Sequence, residues 1–171
     1  MPLTTQPQKA RYDRALGLTS CPVLHGSEKA AQTYKKGAFL IDDDAGRIAE
    51  TTSPIDASAV GNRTFGLALD DATGTTDADV AFVWLGPNTI IEITLSNGTA
   101  GTHTLVIGDM WAVYPITKGT ANWYLDTNAV SDTGGGIVVG FKDAIGTVDA
   151  RVYAILTNTA RGGKDAGSGT F

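Results

Sequence analysis

Ten residues of this chain recur at a fixed distance. Asp71-Ala72-Thr73-Gly74-Thr75-Thr76-Asp77-Ala78-Asp79-Val80 returns as Asp143-Ala144-Ile145-Gly146-Thr147-Val148-Asp149-Ala150-Arg151-Val152, an offset of 72. Between 71–84 and 143–156 seven of fourteen columns are identical, where chance gives roughly one. Self-similarity of this kind marks a duplicated structural unit, so whatever fold one half adopts must be possible twice. The phrase consists of turn formers followed by a strand-forming run, which makes the unit a β module. Upstream, Lys36-Gly37-Ala38-Phe39-Leu40-Ile41 aligns with Ile107-Gly108-Asp109-Met110-Trp111-Ala112 at an offset of 71. Each half then reads as glycine, strand, turn, strand, glycine-containing strand, Asp-Ala-x-Gly-Thr turn, strand.

The strands follow from the pattern. Ala38–Ile41, the turn Asp42–Gly46 and Arg47–Glu50 form a hairpin; Thr64–Leu69, Ala78–Leu85 and Thr89–Leu95 follow. In the last of these Ile91, Ile93 and Leu95 share one face and Glu92 and Thr94 the other, which predicts a sheet wet on one side. Asn97-Gly98 supplies a tight hairpin turn between the halves. The second half offers His103–Ile107, Met110–Ile116, Trp123–Asp126, Ile137–Phe141 and Arg151–Thr157, with Gly134-Gly135-Gly136 as a flexible loop. The expected fold is all-β: an antiparallel sandwich or barrel-like body of two related modules, 34–98 and 99–160. An extended N-terminal arm, 1–33, precedes it, and a flexible Gly-rich tail, 161–171, follows. Two helical turns are expected in the arm, around Tyr12 and Leu16 and from a Ser27 cap over Glu28–Tyr34. Either the arm is frayed or it orders against a partner.

Charge is unevenly spread. Residues 1–36 carry a net +4, residues 37–160 a net −10 and the tail +1, for −5 in all. An acidic body lacks the clustered basic face that grips nucleic acid, whereas a basic arm suits an acidic protein surface. Cys21 is the sole cysteine, which excludes an internal disulfide and a multi-cysteine metal site. With neither a basic-then-apolar leader nor an apolar run of about 18 residues, the chain reads as a soluble protein made in a cytoplasm.

No motif for chemistry survives inspection. Asp42-Asp43-Asp44 lacks the alternate ligand spacing of a calcium loop and reads as a hairpin tip. Asp70, Asp71, Asp77 and Asp79 invite comparison with the paired carboxylates of a glycosidase, but Asp71 and Asp77 recur as Asp143 and Asp149 at equivalent turn positions. Such aspartates are expected to accept backbone N–H bonds. His25 and His103 stand in no metal-ligand spacing, and no nucleophile elbow accompanies them. Gly134–Gly136 lacks the Lys-Ser/Thr pair and the helix of a phosphate loop. The expectation is a non-enzyme without cofactor or metal. Trp84, Trp111, Trp123, Tyr114 and Tyr124 supply either core or a contact face. Of these Trp123 and Tyr124, adjacent in a strand and so directed to opposite faces, are the candidate exposed aromatics.

The stretch Lys35-Lys36-Gly37-Ala38-Phe39-Leu40-Ile41, then Gly46-Arg47-Ile48-Ala49-Glu50, Phe65-Gly66-Leu67-Ala68-Leu69, Asp79-Val80-Ala81-Phe82-Val83-Trp84 and Pro87-Asn88-Thr89-Ile90-Ile91-Glu92 resembles the decoration, or cement, proteins of tailed-bacteriophage heads. The resemblance covers residues 34–95, with a degenerate echo in 107–157; Pro87-Asn88 departs from the more usual Pro-Gly. It implies a small β protein of the virion that binds the capsid exterior, often as a homotrimer, and clamps neighbouring copies of the major capsid protein. Neither nucleic acid nor membrane is an expected partner. In that setting Lys9, Arg11, Arg14, Lys35 and Lys36 are the candidate capsid contacts. The alternatives are a carbohydrate-binding or adhesion module using Trp123 or Tyr124, and a small hydrolase working through paired aspartates.

Overall fold

The described residues form two β-sheets, one of five strands and one of seven. The computed structural model describes residues 11–15 (backbone alone), 22–43, 45–51, 53–55, 64–87, 89–98, 102–120, 122–129, 134–157 and 160–161. No α-helix occurs among them. The first sheet is antiparallel throughout: β2 (Val23–Ser27), β6 (Asp79–Trp84), β5 (Gly66–Ala68), β3 (Phe39–Asp42) and β4 (Ile48–Glu50), in that spatial order. A parallel bridge from Glu28 to Ile48 joins the end of β2 to β4 and draws the two edges of the sheet together.

The second sheet runs β8 (Val113–Tyr114), β11 (Gly136–Phe141), β12 (Arg151–Leu156), β7 (Thr89–Ser96), β10 (Trp123–Asp126), β9 (Ile116–Lys118). Its pairings are antiparallel except β7 with β10. Because Pro115 alone separates β8 from β9, the two ends of this sheet meet and it curls nearly into a barrel. A further strand, β1 (Arg11–Ala15), lies antiparallel to β7 and sets Arg11 opposite Glu92.

Backbone hydrogen bonds fix the correspondence between the halves. Gly37 N donates to Ala68 O at 2.8 Å as Trp111 N does to Val138 O at 2.9 Å; Ala68 N reaches Ala38 O as Val138 N reaches Ala112 O. Ala38 N to Lys35 O is likewise matched by Ala112 N to Asp109 O. These pairs set an offset of 74 at residues 35–38, three more than the sequence alignment of Lys36–Ile41 with Ile107–Ala112 expects, and of 70 at Ala68. Within the phrase the offset is 72, and the backbone agrees: Gly74 and Gly146 have φ 77° and 92°, Asp77 and Asp149 φ 61° and 47°. Aspartate tolerates this left-handed conformation better than most residues, which explains its return at that column.

Several boundaries differ from expectation. The segment expected as arm up to residue 33 contributes β2 and the buried Glu28 to the first sheet, and β7, expected in the first module, belongs to the second sheet. Neither expected helical turn forms: 11–15 is a strand, and 28–34 is irregular with a turn at Ala30-Ala31, pinned by Glu28 N to Ala78 O and Ala31 N to Gly74 O. Strand β7 is buried along its whole length rather than wet on one face, because Glu92 is covered and paired with Lys142 and Arg151. Asn97-Gly98 ends β7 without making a hairpin, since β7 pairs with β12, β10 and β1. Gly134–Gly136 is buried rather than loose: a Cβ on Gly135 would stand 2.0 Å from Tyr114 O. Of the expected flexible tail, 161–171, Arg161 is instead fixed by a bridge to Thr64, and 162–171 lie outside the described residues.

The two modules share one core. A single cluster of buried side chains runs from Phe39, Leu40 and Leu67 through Ile91 and Leu95 to Ile116, Leu125, Val138 and Val152. At its centre the rings of Phe39 and Trp123, one from each module, meet edge to face at 5.4 Å. Bridges from Ile55 to Ile116 and from Thr64 to Arg161 add backbone pairing between the halves.

Candidate docking surfaces

The repeated phrase is structural. Asp71 Oδ1 accepts Lys36 N at 2.8 Å, Asp143 Oδ2 accepts Arg151 N at 2.9 Å, and Asp149 Oδ1 accepts His103 N at 3.2 Å. Asp77 differs, receiving the Arg47 guanidinium at 2.8 Å. Asp42 and Asp43 accept the amides of Gly46, Ala45 and Arg47, so the acidic run is a self-bonded hairpin tip. Thus Asp42, Asp43, Asp71, Asp77, Asp143 and Asp149 are engaged by backbone amides or arginine, and Asp79 faces His25 Nδ1 at 2.8 Å.

The equivalent loops ahead of β3 and β8 have diverged. In the first module the loop presents Lys35-Lys36-Gly37; the second has Asp109-Met110-Trp111 in its place. Lys35 Nζ lies 3.1 Å from Asp71, and both lysines line a cleft of about 390 Å³ between the modules. From the second module Lys118, Asn122 and Trp123 complete it, with Glu50 bound by Lys118 Nζ and, at 3.3 Å, by Trp123 Nε1. Three lysines therefore stand at one seam of an acidic body.

In the second module Asp109 is turned inward and organises its loop. Its Oδ2 accepts Val106 N at 2.8 Å and faces His103 Nε2 at 2.9 Å, while Oδ1 accepts Tyr114 Oη at 2.9 Å. Burial opposes its charge, yet these donors hold the carboxyl below the usual range. Burial and Asp109 together push Tyr114 up to about 12. Asp143 is likewise held low, by the Arg151 guanidinium. A carboxylate depressed in the folded state stabilises it fully above the ordinary pKa and loses that contribution as pH falls through the folded value. Urea midpoints should therefore fall as pH drops below about 4. Asp109→Asn should start less stable at pH 6 and show a shallower fall; an unchanged acid slope would refute the assignment.

The loop that Asp109 holds carries apolar side chains into solvent. Val106, Ile107 and Trp111 are 47%, 69% and 69% exposed, and Ile145 and Val148, in the neighbouring turn of the repeated phrase, 57% and 51%. Thr104 bridges to Val148, and Gly146 N donates to Leu105 O, which brings the two segments together. At the corresponding positions the first module has Gln32, Thr33, Gly37, Thr73 and Thr76. Gly37 adopts φ 87° without cost, whereas Trp111 sits at φ 68°, a conformation that costs a bulky residue about 1–2 kcal/mol.

Of the residues singled out from sequence, Lys35 and Lys36 come together at the cleft. Arg11 and Arg14 lie on β1, opposite Glu92 and Ile90, and Lys9 lies outside the described residues. Trp123 and Tyr124 are buried, at 3% and 5% exposure, so the expected exposed aromatics are core. Their strand is covered on one face by Phe39 and on the other at Gly98, where a Cβ would meet Tyr124 Oη at 2.3 Å. Exposure belongs instead to Trp111 and Trp84. The signal for Trp111 lay in the mismatches between the two copies, which a search for identities passes over. No protein-family model matches the chain, and no curated protein matches it.

Proposed function

We propose that the chain is a non-enzymatic decoration protein of a tailed-phage head, bound to the capsid exterior and bracing neighbouring capsid subunits. The observation that carries this reading is the setting of Lys35 and Lys36. The Lys-Lys-Gly stretch that opens the resemblance stands at the seam of two modules, on an otherwise acidic body. A rigid base with a shared core suits a protein that must bridge subunits, and weak contacts repeated over a lattice add up through effective concentration.

Cosedimentation with purified, undecorated heads of the phage whose genome encodes the chain tests it. Wild type should pellet with heads in a saturable manner. Lys35→Glu/Lys36→Glu should weaken binding by about tenfold or more while the fold is retained. Absence of pelleting would defeat the reading. A truncation test must remove residues 1–10 alone, since loss of 1–33 would delete β1 and β2. The glycan-binding alternative passes from Trp123 and Tyr124 to Trp84 and Trp111, and a glycan array read against Trp111→Gly addresses it.

A further inference from the structure

The cleft at the seam of the modules is rich in hydrogen-bond donors and short of acceptors. Lys35, Lys36 and Lys118 line it against a single carboxylate, Glu50, whose Oε2 holds Lys118 Nζ and whose Oε1 holds Trp123 Nε1. Lys35 has Asp71 beside it, whereas Lys36 Nζ meets no acceptor among the described residues. Tyr34 borders the same space. It is 2% exposed, and its hydroxyl is buried without a hydrogen-bond partner. Burial, and then the charges of Glu28, Asp70 and Glu50, push this phenol up to about 12, so at neutral pH it keeps its proton and can donate it to an acceptor. Buried polar groups are nearly always paired, and one left open beside a cleft points to a group that arrives from outside.

We propose that the cleft receives an acidic side chain from a partner's peptide segment, its carboxylate bound by Lys36 Nζ and Tyr34 Oη and its methylenes lying against Ala38 and Trp123. The inference rests on the reading of Lys35 and Lys36 as capsid contacts and names what the capsid presents to them. Three observations select this occupant. An ionised carboxylate only accepts, which matches a set of donors among which Glu50 is already taken. A phosphate group calls for arginine or a cradle of open backbone amides. No arginine lines the cleft among the described residues, and the amides of Lys36, Gly37 and Ala38 are held by Asp71, Ala68 O and Lys35 O. A small free anion would leave most of the 390 Å³ unfilled and the apolar wall uncovered.

Calorimetric titration of the full chain with a capped hexaglutamate peptide, without heads, tests the proposal. The peptide should bind saturably and more weakly as salt is raised. Capped hexaglutamine and inorganic phosphate should bind at least roughly tenfold more weakly. Lys36→Gln and Tyr34→Phe should each weaken hexaglutamate about tenfold. Tyr34→Phe removes a hydroxyl that bonds to nothing, so its melting temperature should equal or exceed that of wild type. Arg47→Gln removes the same charge from the first module outside the cleft and should bind as wild type does. Failure of hexaglutamate to bind overturns the inference, as does undiminished binding in either cleft variant. An equal loss in Arg47→Gln, or phosphate bound as tightly as the peptide, overturns it too. The two readings fail separately. Wild type that pellets with heads but leaves hexaglutamate unbound defeats the cleft proposal alone; wild type that binds hexaglutamate but ignores heads defeats the capsid reading and supports the cleft.

Discussion

Phe39→Ala is expected to cost the protein about 4 kcal/mol and to lower its melting temperature by roughly 10 °C. Phe39 is fully buried on β3 of the first module and meets Trp123 of the second edge to face. Truncation therefore empties space at the joint, and the walls belong to different sheets with little freedom to collapse together. The loss should fall on both modules at once. Tryptophan fluorescence and far-ultraviolet circular dichroism should still report one coincident urea transition, shifted as a whole. Two separated transitions, or a loss below about 1 kcal/mol, would mean that the modules stand independently and that the shared core is not what joins them.

Glu28→Ala should be nearly as damaging, at about 3–4 kcal/mol, for a polar reason. The Glu28 side chain is fully buried and accepts Thr73 N at 2.9 Å, Thr73 Oγ1 at 2.7 Å and Gly74 N at 2.7 Å. Removing the carboxylate leaves three part-buried donors without their acceptor and a void where the buried side chain stood, whereas Glu28→Gln keeps the volume and one acceptor and should cost about half as much. The second module supplies an internal control, because there Gly146 N is bound by the backbone carbonyl of Leu105. Amide exchange at Gly74 should accelerate in Glu28→Ala while Gly146 keeps its protection. Equal acceleration at both, or a cost below about 1 kcal/mol, would refute the role given to Glu28.

The strands with strong β-branched runs, β6, β7, β11 and β12, were legible in the sequence, as was the hairpin at Asp42–Gly46. What escaped it was set by tertiary contact. Val23–Ser27 contains a glycine and a histidine and has no alternation of its own; it is a strand because β6 offers an edge to pair with. Alternation in β7 implied a wet face, but periodicity cannot register that Lys142 and Arg151 fold over Glu92. The duplication was visible through its identities, and the basic loop at Lys35-Lys36 through its charge. By contrast the apolar face is spread over two segments brought together by the Thr104–Val148 bridge and the backbone bonds beside it.

The pairing of β1 with β7 has a consequence for the order in which the molecule assembles during synthesis. Arg11 meets Glu92 and Ala15 meets Thr89, so the first of the described strands waits for residues about 80 positions later. The strands of the first module, by contrast, find all their ladder partners between residues 23 and 84. A nascent chain can thus close its first sheet while the leading strand still has no counterpart, and lay that strand down once β7 has emerged. The leading strand is then among the last parts of the second sheet to be secured.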